Sequence, residues 1–367
     1  MSALLSSFAE RVVHWQLDHG RQHLPWQHTT DPYRIWLSEI MLQQTQVSTV
    51  LGYYERFLNR FPTVHALAAA EQDEVMPYWA GLGYYARARN LHKCAQVVQN
   101  HYQGDFPTQS EVLATLPGIG PSTAAAIAAF AVGERAPIMD GNVKRVFCRY
   151  FGIYGPTHLR ATEKQLWDLA HQAVALAPAH LNMSAYTQGQ MDLGAQICTR
   201  GQPACERCPL QEGCFALEHH VQTELPTPKP RLKQAERSCQ MLIWQQGERI
   251  LVEQRPDQGI WGGMLSLPQF ETVAQLDQFM LNQGTALSNA HKMAEFTHVF
   301  SHFKLHITPW WVPAPTTLYE PKPNELWLTT EQIASAALPA PVSKLLEGIF
   351  ANGSMTTDAH QHPARHP

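Results

Sequence analysis

The chain has 367 residues, of which 44% are hydrophobic and 16% are charged. This composition excludes a chain that is disordered throughout, and its length predicts two or three domains at about 150 residues each. The formal net charge of −4 gives no global signature of nucleic-acid binding, so any DNA contact must come from local basic patches. The longest apolar run, 124–132, has about half of the roughly 18 residues that a spanning helix needs, and the first residues lack a basic stretch. We expect neither a signal peptide nor a membrane span.

Glu39 is a carboxylate in an apolar stretch of the first predicted helices. That stretch begins with an N-cap signal, Asp31 before Pro32. A spacing of four and seven residues predicts that Glu39, Gln43 and Gln46 share one helix face. Desolvation by apolar neighbours raises the pKa of a carboxyl group, which suits it to donate a proton to a base and then to handle a water. The alternative is a structural glutamate in a polar network.

Residues 81–89 interleave glycines, tyrosines and arginines around Tyr84. Aromatic rings beside cations suit stacking on bases next to phosphate contacts. An exposed helix turn with core tyrosines explains the same pattern.

Leu116–Gly120, LPGIG, separates two predicted helices, the second of which is alanine-rich and stops at Gly133. Glycines let the backbone approach a DNA phosphate closely, and the N-terminus of the second helix attracts an anion. The pattern is that of a helix-hairpin-helix motif, and an ordinary helix-helix turn is the alternative.

Asp140 precedes a predicted helix that Asn142 is expected to cap. The free N–H groups and the dipole at that helix N-terminus favour the charged carboxylate, so we expect Asp140 to stay ionised. One neutral acid and one charged acid is an arrangement that protonates a leaving group while it stabilises a cationic sugar. A plain capping role is the alternative for Asp140 taken alone.

Cys198, Cys205, Cys208 and Cys214 are spaced C-x6-C-x2-C-x5-C, whereas the other three cysteines are scattered. Such a cluster in a reducing compartment favours a metal site over a disulfide framework. The spacing alone leaves zinc and an iron-sulfur cluster open, with the cluster favoured because there is only one close cysteine pair.

A basic, proline-containing linker is predicted at 218–237, after a helical domain at 1–217. The hydrophobic period then changes to two in segments such as 239–244, 250–254 and 303–307, which predicts an α+β domain at 238–350. The tail, 351–367, is polar and histidine-rich, and we expect it to be disordered.

Several motifs together closely resemble the MutY type of adenine DNA glycosylase, within the endonuclease III superfamily. They cover nearly the whole chain before the tail: LPWQ, WLSEIMLQQTQV, GLGYYARARNLHKCA, LPGIGPSTAAAI, PIMDGNVKRV and MDLGAQICTR. The resemblance implies a mainly α helix-hairpin-helix catalytic domain followed by a Nudix-like α+β domain. The catalytic domain would comprise a six-helix part at about 31–130 and an iron-sulfur part at about 1–30 and 131–217.

The same resemblance implies a role for each matching residue. Glu39 would protonate N7 of adenine, Asp140 would support the sugar cation or a covalent sugar intermediate, and the four cysteines would hold a [4Fe-4S] cluster. Gln44 and Tyr84 would insert into the duplex, and the flipped base would contact Trp26, Gln27, Leu42 and Gln188. The other expected DNA contacts are Gly118, Gly120, Ser122, Lys144 and Arg145.

Two departures from related families narrow the expected chemistry. Ser122 stands where strand-cleaving members of the superfamily carry a lysine, and a hydroxyl cannot form a Schiff base, so we expect a monofunctional glycosylase. In the Nudix-like domain, Glu271 is followed by TVAQLD rather than by the paired glutamates that bind magnesium, which predicts a lesion reader. The resemblance places the 8-oxoguanine contacts at Phe300, Ser301 and His302.

The predicted function is therefore removal of adenine opposite 8-oxoguanine or guanine in double-stranded DNA, by a monomer in the cytoplasm or at a bacterial nucleoid. A glycosylase-lyase for oxidised pyrimidines and a non-catalytic damage sensor are the alternatives. Ser122 and the second domain argue against the first, and the pair of Glu39 and Asp140 argues against the second.

Overall fold

The computed structural model describes residues 2–229, 234–300, 302–313 and 319–351. These residues fall into two compact units, one within 1–70 and 89–231 and the other within 71–88 and 232–367. Segment 71–88, which lies inside the predicted helical domain, thus groups with the C-terminal residues. Ser301 and the predicted disordered tail beyond residue 351 lie outside the described residues. In the described part of the chain, no helix is both long and apolar enough to cross a membrane.

The first unit is helical. Its helices are α1 (Ser2–His19), α2 (Pro32–Leu42), α3 (Val47–Arg60), α4 (Val64–Ala69), most of α6 (Ala86–Tyr102), α7 (Ser110–Leu113), α8 (Pro121–Val132), α9 (Gly141–Phe151), α10 (Arg160–Leu176), α11 (Met183–Asp192) and α12 (Phe215–Glu218), whereas α5 (Gln72–Trp79) belongs to the second unit. A short 3-10 turn covers Pro25–Gln27, and a π-helical turn, Leu193–Ile197, follows α11.

The N-terminal helix completes the core of the C-terminal half of this unit. Phe8 of α1 is fully buried, and its ring lies 5.3 Å from Phe147 of α9 and 6.4 Å from Tyr186 of α11. Aromatic pairs at these separations stabilise a core beyond the area they bury. α8 packs differently, since Ala124–Ala129 are all buried and their small side chains allow close helix packing.

The second unit is built on a mixed sheet of eight strands in the described residues. The strands are β1 (Ala235–Gln246), β2 (Arg249–Gln254), β3 (Leu265–Ser266), β4 (Gln269–Phe270), β5 (His291–Lys292), β6 (Phe296–Val299), β7 (Phe303–Pro313) and β8 (Glu325–Thr329). Helix α13 (Val273–Asn282) packs on the sheet through Leu276 and Met280, and α14 (Thr330–Ser335) and α15 (Ala340–Ala351) follow.

β1 departs from the sequence-based expectation in two ways. It begins at Ala235, inside the predicted linker, because it pairs in parallel with β7 from Ala235 opposite Phe303 to Gln245 opposite Pro313. Cys239–Trp244 are all buried rather than alternating. A strand covered on both faces has a continuous buried run, whereas alternation is typical of a strand with one solvated face.

Candidate active site and nucleic-acid interface

Glu39 lies in the wall of a cavity of about 600 Å³ in the first unit. The 3-10 turn contributes Trp26 and Gln27, α2 contributes Glu39, and α11 contributes Gln188. Trp26 is buried, and its ring packs edge-on against Tyr54 at 5.3 Å. Four of the predicted acid and base-binding residues therefore meet around one cavity of a size typical of small-molecule sites.

Burial, with an additional contribution from the nearby charge of Asp140, raises the pKa of Glu39 to about 8. A carboxyl group with this pKa is mostly protonated at neutral pH, as a proton donor requires. The predicted polar stripe is wrong, however. α2 ends at Leu42, so Gln43 caps its end and donates from Nε2 to Thr123 Oγ1 at 3.3 Å, and Gln46 precedes α3.

Asp140 is itself the N-cap of α9, where we expected Asn142 to serve. Its Oδ1 accepts a hydrogen bond from Val143 N at 2.7 Å. We also expected the helix N-terminus to hold its pKa low, but burial raises the pKa of Asp140 by more than the hydrogen bonds from Val143 and Asn142 lower it. Both carboxyl groups are thus poorly solvated, and the charge of Asp140 disfavours ionisation of Glu39.

The remaining predicted base-binding residues are Gln27 and Leu42, and the structure gives less support for a contact with the base at these two positions. Gln27 Oε1 accepts from Leu24 N at 3.1 Å, so this amide oxygen is used within the turn. Leu42 is half-buried and is not among the described residues that line the cavity. Sequence reasoning missed Arg21, which lines the cavity, and buried Asp192, to which both Arg21 and Gln188 donate hydrogen bonds.

The hairpin has the geometry expected of an anion site. Gly118 has φ +77°, and a Cβ there would lie 2.8 Å from Asn90 Cβ, so glycine is required. Gly120 is the N-cap of the 12-residue helix α8 and has no side-chain cap. Apart from its chain neighbours and its own helix backbone, no atom of the described residues lies within 4 Å of a Cβ built on it. Exposed N–H groups at such a helix start attract phosphate.

Ser122, one residue into α8, faces the protein. Its Oγ accepts from Met139 N at 2.9 Å and so ties the start of α8 to the segment that carries Asp140. The two basic residues after Asp140 are also engaged within the fold. Lys144 Nζ pairs with Glu163 Oε1 at 2.7 Å, and Arg145 donates to Cys198 O at 2.7 Å and to Gly194 O at 2.6 Å. A phosphate contact by Arg145 would compete with these bonds.

Gln44 and Tyr84 are both exposed, and both adopt left-handed backbone conformations, with φ +58° and φ +49°. Such angles are rare for residues other than glycine, asparagine and aspartate, and they cluster at functional sites. Within the second unit, the Arg87 guanidinium lies 5.5 Å from the ring of Tyr84 and 5.3 Å from that of Trp79.

All four clustered cysteines line one small cavity. Burial raises the pKa of the Cys208 thiol to about 12, and the other three sulfurs contribute to that rise. Beneath them lies the buried side chain of Arg149, which donates from Nη1 to Cys198 Sγ at 3.3 Å. Among the described residues, no group of three or more His, Cys, Asp or Glu side chains converges on a single metal position.

Phe300 and His302, two of the three predicted lesion-reading residues, lie between the end of β6 and the start of β7. Phe300 stacks on Phe303 with 4.4 Å between ring centroids, and Phe300 N donates to Phe303 O at 2.9 Å. His302 is exposed, with its ring 4.8 Å from that of Phe303. Trp261, in the glycine-rich loop 259–263, also packs against Phe300, with 5.8 Å between the ring centroids. Phe300 therefore packs against two aromatic rings.

Two family models match the chain. Residues 37–172 match the HhH-GPD superfamily of base excision DNA repair proteins, and residues 239–348 match the NUDIX domain. An adenine DNA glycosylase of Buchnera aphidicola from Acyrthosiphon pisum is 34% identical over 94% of this chain and 98% of its own. The chain belongs to the adenine DNA glycosylases. The predicted family, fold class and base-excision-repair glycosylase activity are thereby confirmed: the enzyme is a DNA N-glycosylase that removes adenine.

Two further comparisons agree with this membership. The human adenine DNA glycosylase is 31% identical over 94% of this chain and 74% of its own length. A structure of a thermostable thymine-DNA glycosylase, with 31% identity and a TM-score of 0.53, covers 59% of this chain and 98% of that one. The fold of that part of the chain is therefore shared with a glycosylase named for a different base, so the fold alone does not determine which base is removed.

Proposed function

We propose that the enzyme removes adenine mispaired with 8-oxoguanine or guanine, and that the cavity beside Glu39 receives the flipped base. The observation that carries the proposal is a carboxyl group with a pKa of about 8 in a cavity lined by Trp26 and Gln188. An extruded base needs an apolar face to stack on and polar groups that read its edge. The cavity offers both.

The proposed reaction begins with proton donation from Glu39 to N7 of adenine. Protonation makes the base a better leaving group, and the sugar develops positive charge as the N-glycosidic bond breaks. Asp140 stabilises that charge or bonds to the sugar carbon. Glu39, now a carboxylate, then accepts a proton from the attacking water. The burial of Glu39, together with the nearby charge of Asp140, supports this sequence, because both favour the protonated form of Glu39 until a base takes the proton.

We propose that the hairpin and the inserted side chains of Gln44 and Tyr84 bind the DNA. The uncapped start of α8 and the open backbone at Gly120 support a phosphate contact there. Gln44 and Tyr84 are proposed to fill the space left by the flipped nucleotide. Their exposure and left-handed backbones support this role, because strained backbone conformations cluster at functional sites.

A [4Fe-4S] cluster fits the four cysteines better than a single zinc ion does. Zinc needs its ligands around one point, whereas each iron of the cluster takes its own thiolate, so the four sulfurs line a cavity without meeting. Cys198, Cys205, Cys208 and Cys214 would hold the cluster, which would supply no hydrolytic chemistry. Arg149 and Arg145, which bond to the Cys198 sulfur and carbonyl, would anchor the loop to α9.

The β6–β7 turn is proposed to read 8-oxoguanine through Phe300, Ser301 and His302. The stacking of Phe300 on Phe303 supports a fixed platform for that contact. We further propose that the enzyme is monofunctional, because the Ser122 hydroxyl has no amine and already accepts a hydrogen bond from Met139. We also propose that the enzyme is a monomer and that it acts in the compartment that holds the chromosome, which in a bacterium is the cytoplasm.

The test is single-turnover adenine release from duplexes with adenine opposite 8-oxoguanine, guanine or thymine, each with and without alkali, beside Glu39→Gln. We expect release at the two purine mispairs, strand breaks only after alkali, and no release by the variant. Breaks without alkali, or activity on an oxidised pyrimidine, would move the enzyme to the lyase branch. Full activity of Glu39→Gln would overturn the role of this cavity.

A further inference from the structure

Beside the proposed base cavity lies an ion pair between Arg21, which lines the cavity, and the buried Asp192. The Asp192 side chain has no exposed surface. Its Oδ1 accepts from Arg21 Nε at 2.8 Å and lies 2.6 Å from Arg21 Nη2, and its Oδ2 accepts from Arg21 N at 2.9 Å. Arg21 follows α1 and Asp192 ends α11, so the pair fixes these two helices together.

Gln188 joins this pair from the same helix as Asp192. The two residues are four apart on α11 and therefore lie on one helix face. Gln188 Nε2 donates to Asp192 Oδ1 at 2.8 Å. Gln188 also lines the cavity, so its amide lies between a buried carboxylate and the space for the base.

The Asp192 carboxylate determines the orientation of the Gln188 side-chain amide. A carboxylate paired with a guanidinium has acceptors only, whereas an amide has a donor end and an acceptor end. The NH₂ end must therefore face Asp192, and Oε1 is the end left for a ligand. With the amide reversed, two oxygens would face each other without a proton between them.

We propose that Asp192 is a positioning residue that orients the Gln188 amide so that its Oε1 accepts a hydrogen bond from the base. The cavity then favours a base with an amino group at position 6 over one with a carbonyl oxygen there. The inference rests on the proposed use of this cavity for the flipped base. Adenine donates a hydrogen bond from its 6-amino group, and hypoxanthine presents an acceptor at the same position. Arg21 supports the arrangement by keeping Asp192 in place.

The experiment compares single-turnover excision of adenine and of hypoxanthine, each opposite 8-oxoguanine in the same duplex, by the full chain and by Asp192→Asn. An asparagine offers both a donor and an acceptor to Gln188, so the amide is no longer held one way. We expect the hypoxanthine-to-adenine rate ratio to rise about tenfold or more, since one well-placed hydrogen-bond pair gives discrimination of that order. Using the ratio removes general losses of rate, which affect both bases alike.

Three further variants make the result specific. Asp192→Glu keeps a carboxylate and should restore most of the wild-type ratio. In a Gln188→Ala background, Asp192→Asn should leave the ratio unchanged, because there is no amide to orient. The matched control is Asp168→Asn, which breaks the exposed pair with Lys164 and should leave the ratio at the wild-type value.

Asp192→Asn leaves the Arg21 guanidinium without its partner, and such a change can prevent folding. The combined variant Arg21→Met with Asp192→Leu removes both charges and leaves the Gln188 amide without a buried acceptor, so the same rise in the ratio is expected. An unchanged ratio in the folded variants, with equal losses for the two bases, would overturn the inference and leave Asp192 as a structural residue. That outcome is distinct from failure of the proposed function, which Glu39→Gln tests separately.

Discussion

Glu39→Gln should stabilise the fold while it abolishes activity, and the gain in stability should depend on pH. In the folded chain the pKa of Glu39 is about 8, against an ordinary value of 4.5 for a glutamate in water. Between these two values the folded state holds a proton that the unfolded state has lost, so the free energy of unfolding falls as pH rises. A glutamine is neutral throughout and lacks this dependence.

The magnitude follows from the size of the shift. Each pKa unit corresponds to about 1.4 kcal/mol, so Glu39 costs the native state up to about 5 kcal/mol above pH 8 and about 3 kcal/mol at pH 7. The penalty disappears below about pH 4.5. The advantage of Glu39→Gln over the wild type should therefore grow by about 1.4 kcal/mol per pH unit across this window.

Urea unfolding of the full chain, followed by circular dichroism at about pH 5.5, 7 and 8.5, measures that advantage. Glu55→Gln, at an exposed position on α3, is the matched control and should show no trend. In parallel, the single-turnover rate of the wild type should fall above pH 8 as Glu39 loses its proton. The variant should release no adenine on the timescale of the wild-type reaction, because loss of a general acid costs a factor of about 10²–10⁴ in rate. A stability difference that is equal at all three pH values would refute the buried-acid reasoning.

Three other substitutions test the remaining parts of the site. Gln44→Gly should stabilise the free enzyme by about 1 kcal/mol, because glycine adopts the left-handed backbone without strain. The same substitution should slow excision because the inserted side chain is lost. Thermal melting measures the first effect and single-turnover rates the second. Gly118→Ala places a Cβ 2.8 Å from Asn90 Cβ and should weaken duplex binding about tenfold in a titration, whereas an unchanged affinity would contradict the phosphate role. Cys208→Ser should lower the iron bound per chain and the melting temperature together, and full iron content would exclude Cys208 as a ligand.

Much of this site follows from local sequence patterns. The hairpin is recognisable because glycines between two helices leave few backbone alternatives, and the structure has the positive φ at Gly118 that such a turn requires. Glu39 stands out because it is a carboxylate among apolar neighbours, and the raised pKa agrees with that interpretation. The four cysteines line one cavity because their spacing keeps them in one short loop.

Other features depend on contacts that no local pattern contains. The Arg21–Asp192 pair joins residues 171 positions apart, and the parallel pairing of β1 with β7 sets the true start of β1. Asp140 illustrates a different difficulty. Its place before α9 is evident from the sequence, but the direction of its pKa shift depends on how much of the protein covers it. Burial is a tertiary property, and here it outweighs the local effect of the helix start.

The strained backbone positions give these observations a common physical explanation. Apart from glycines, the described residues with positive φ are Gln44, Tyr84, Gln103, His220 and Trp261, of which the first two are proposed inserted side chains and the last packs against Phe300. Each such residue costs the fold of order 1–3 kcal/mol. That cost is met on folding, so less conformational freedom is lost when DNA binds. A fold that tolerates both this strain and the uncharged Glu39 gives up stability at the residues we propose for base flipping and catalysis.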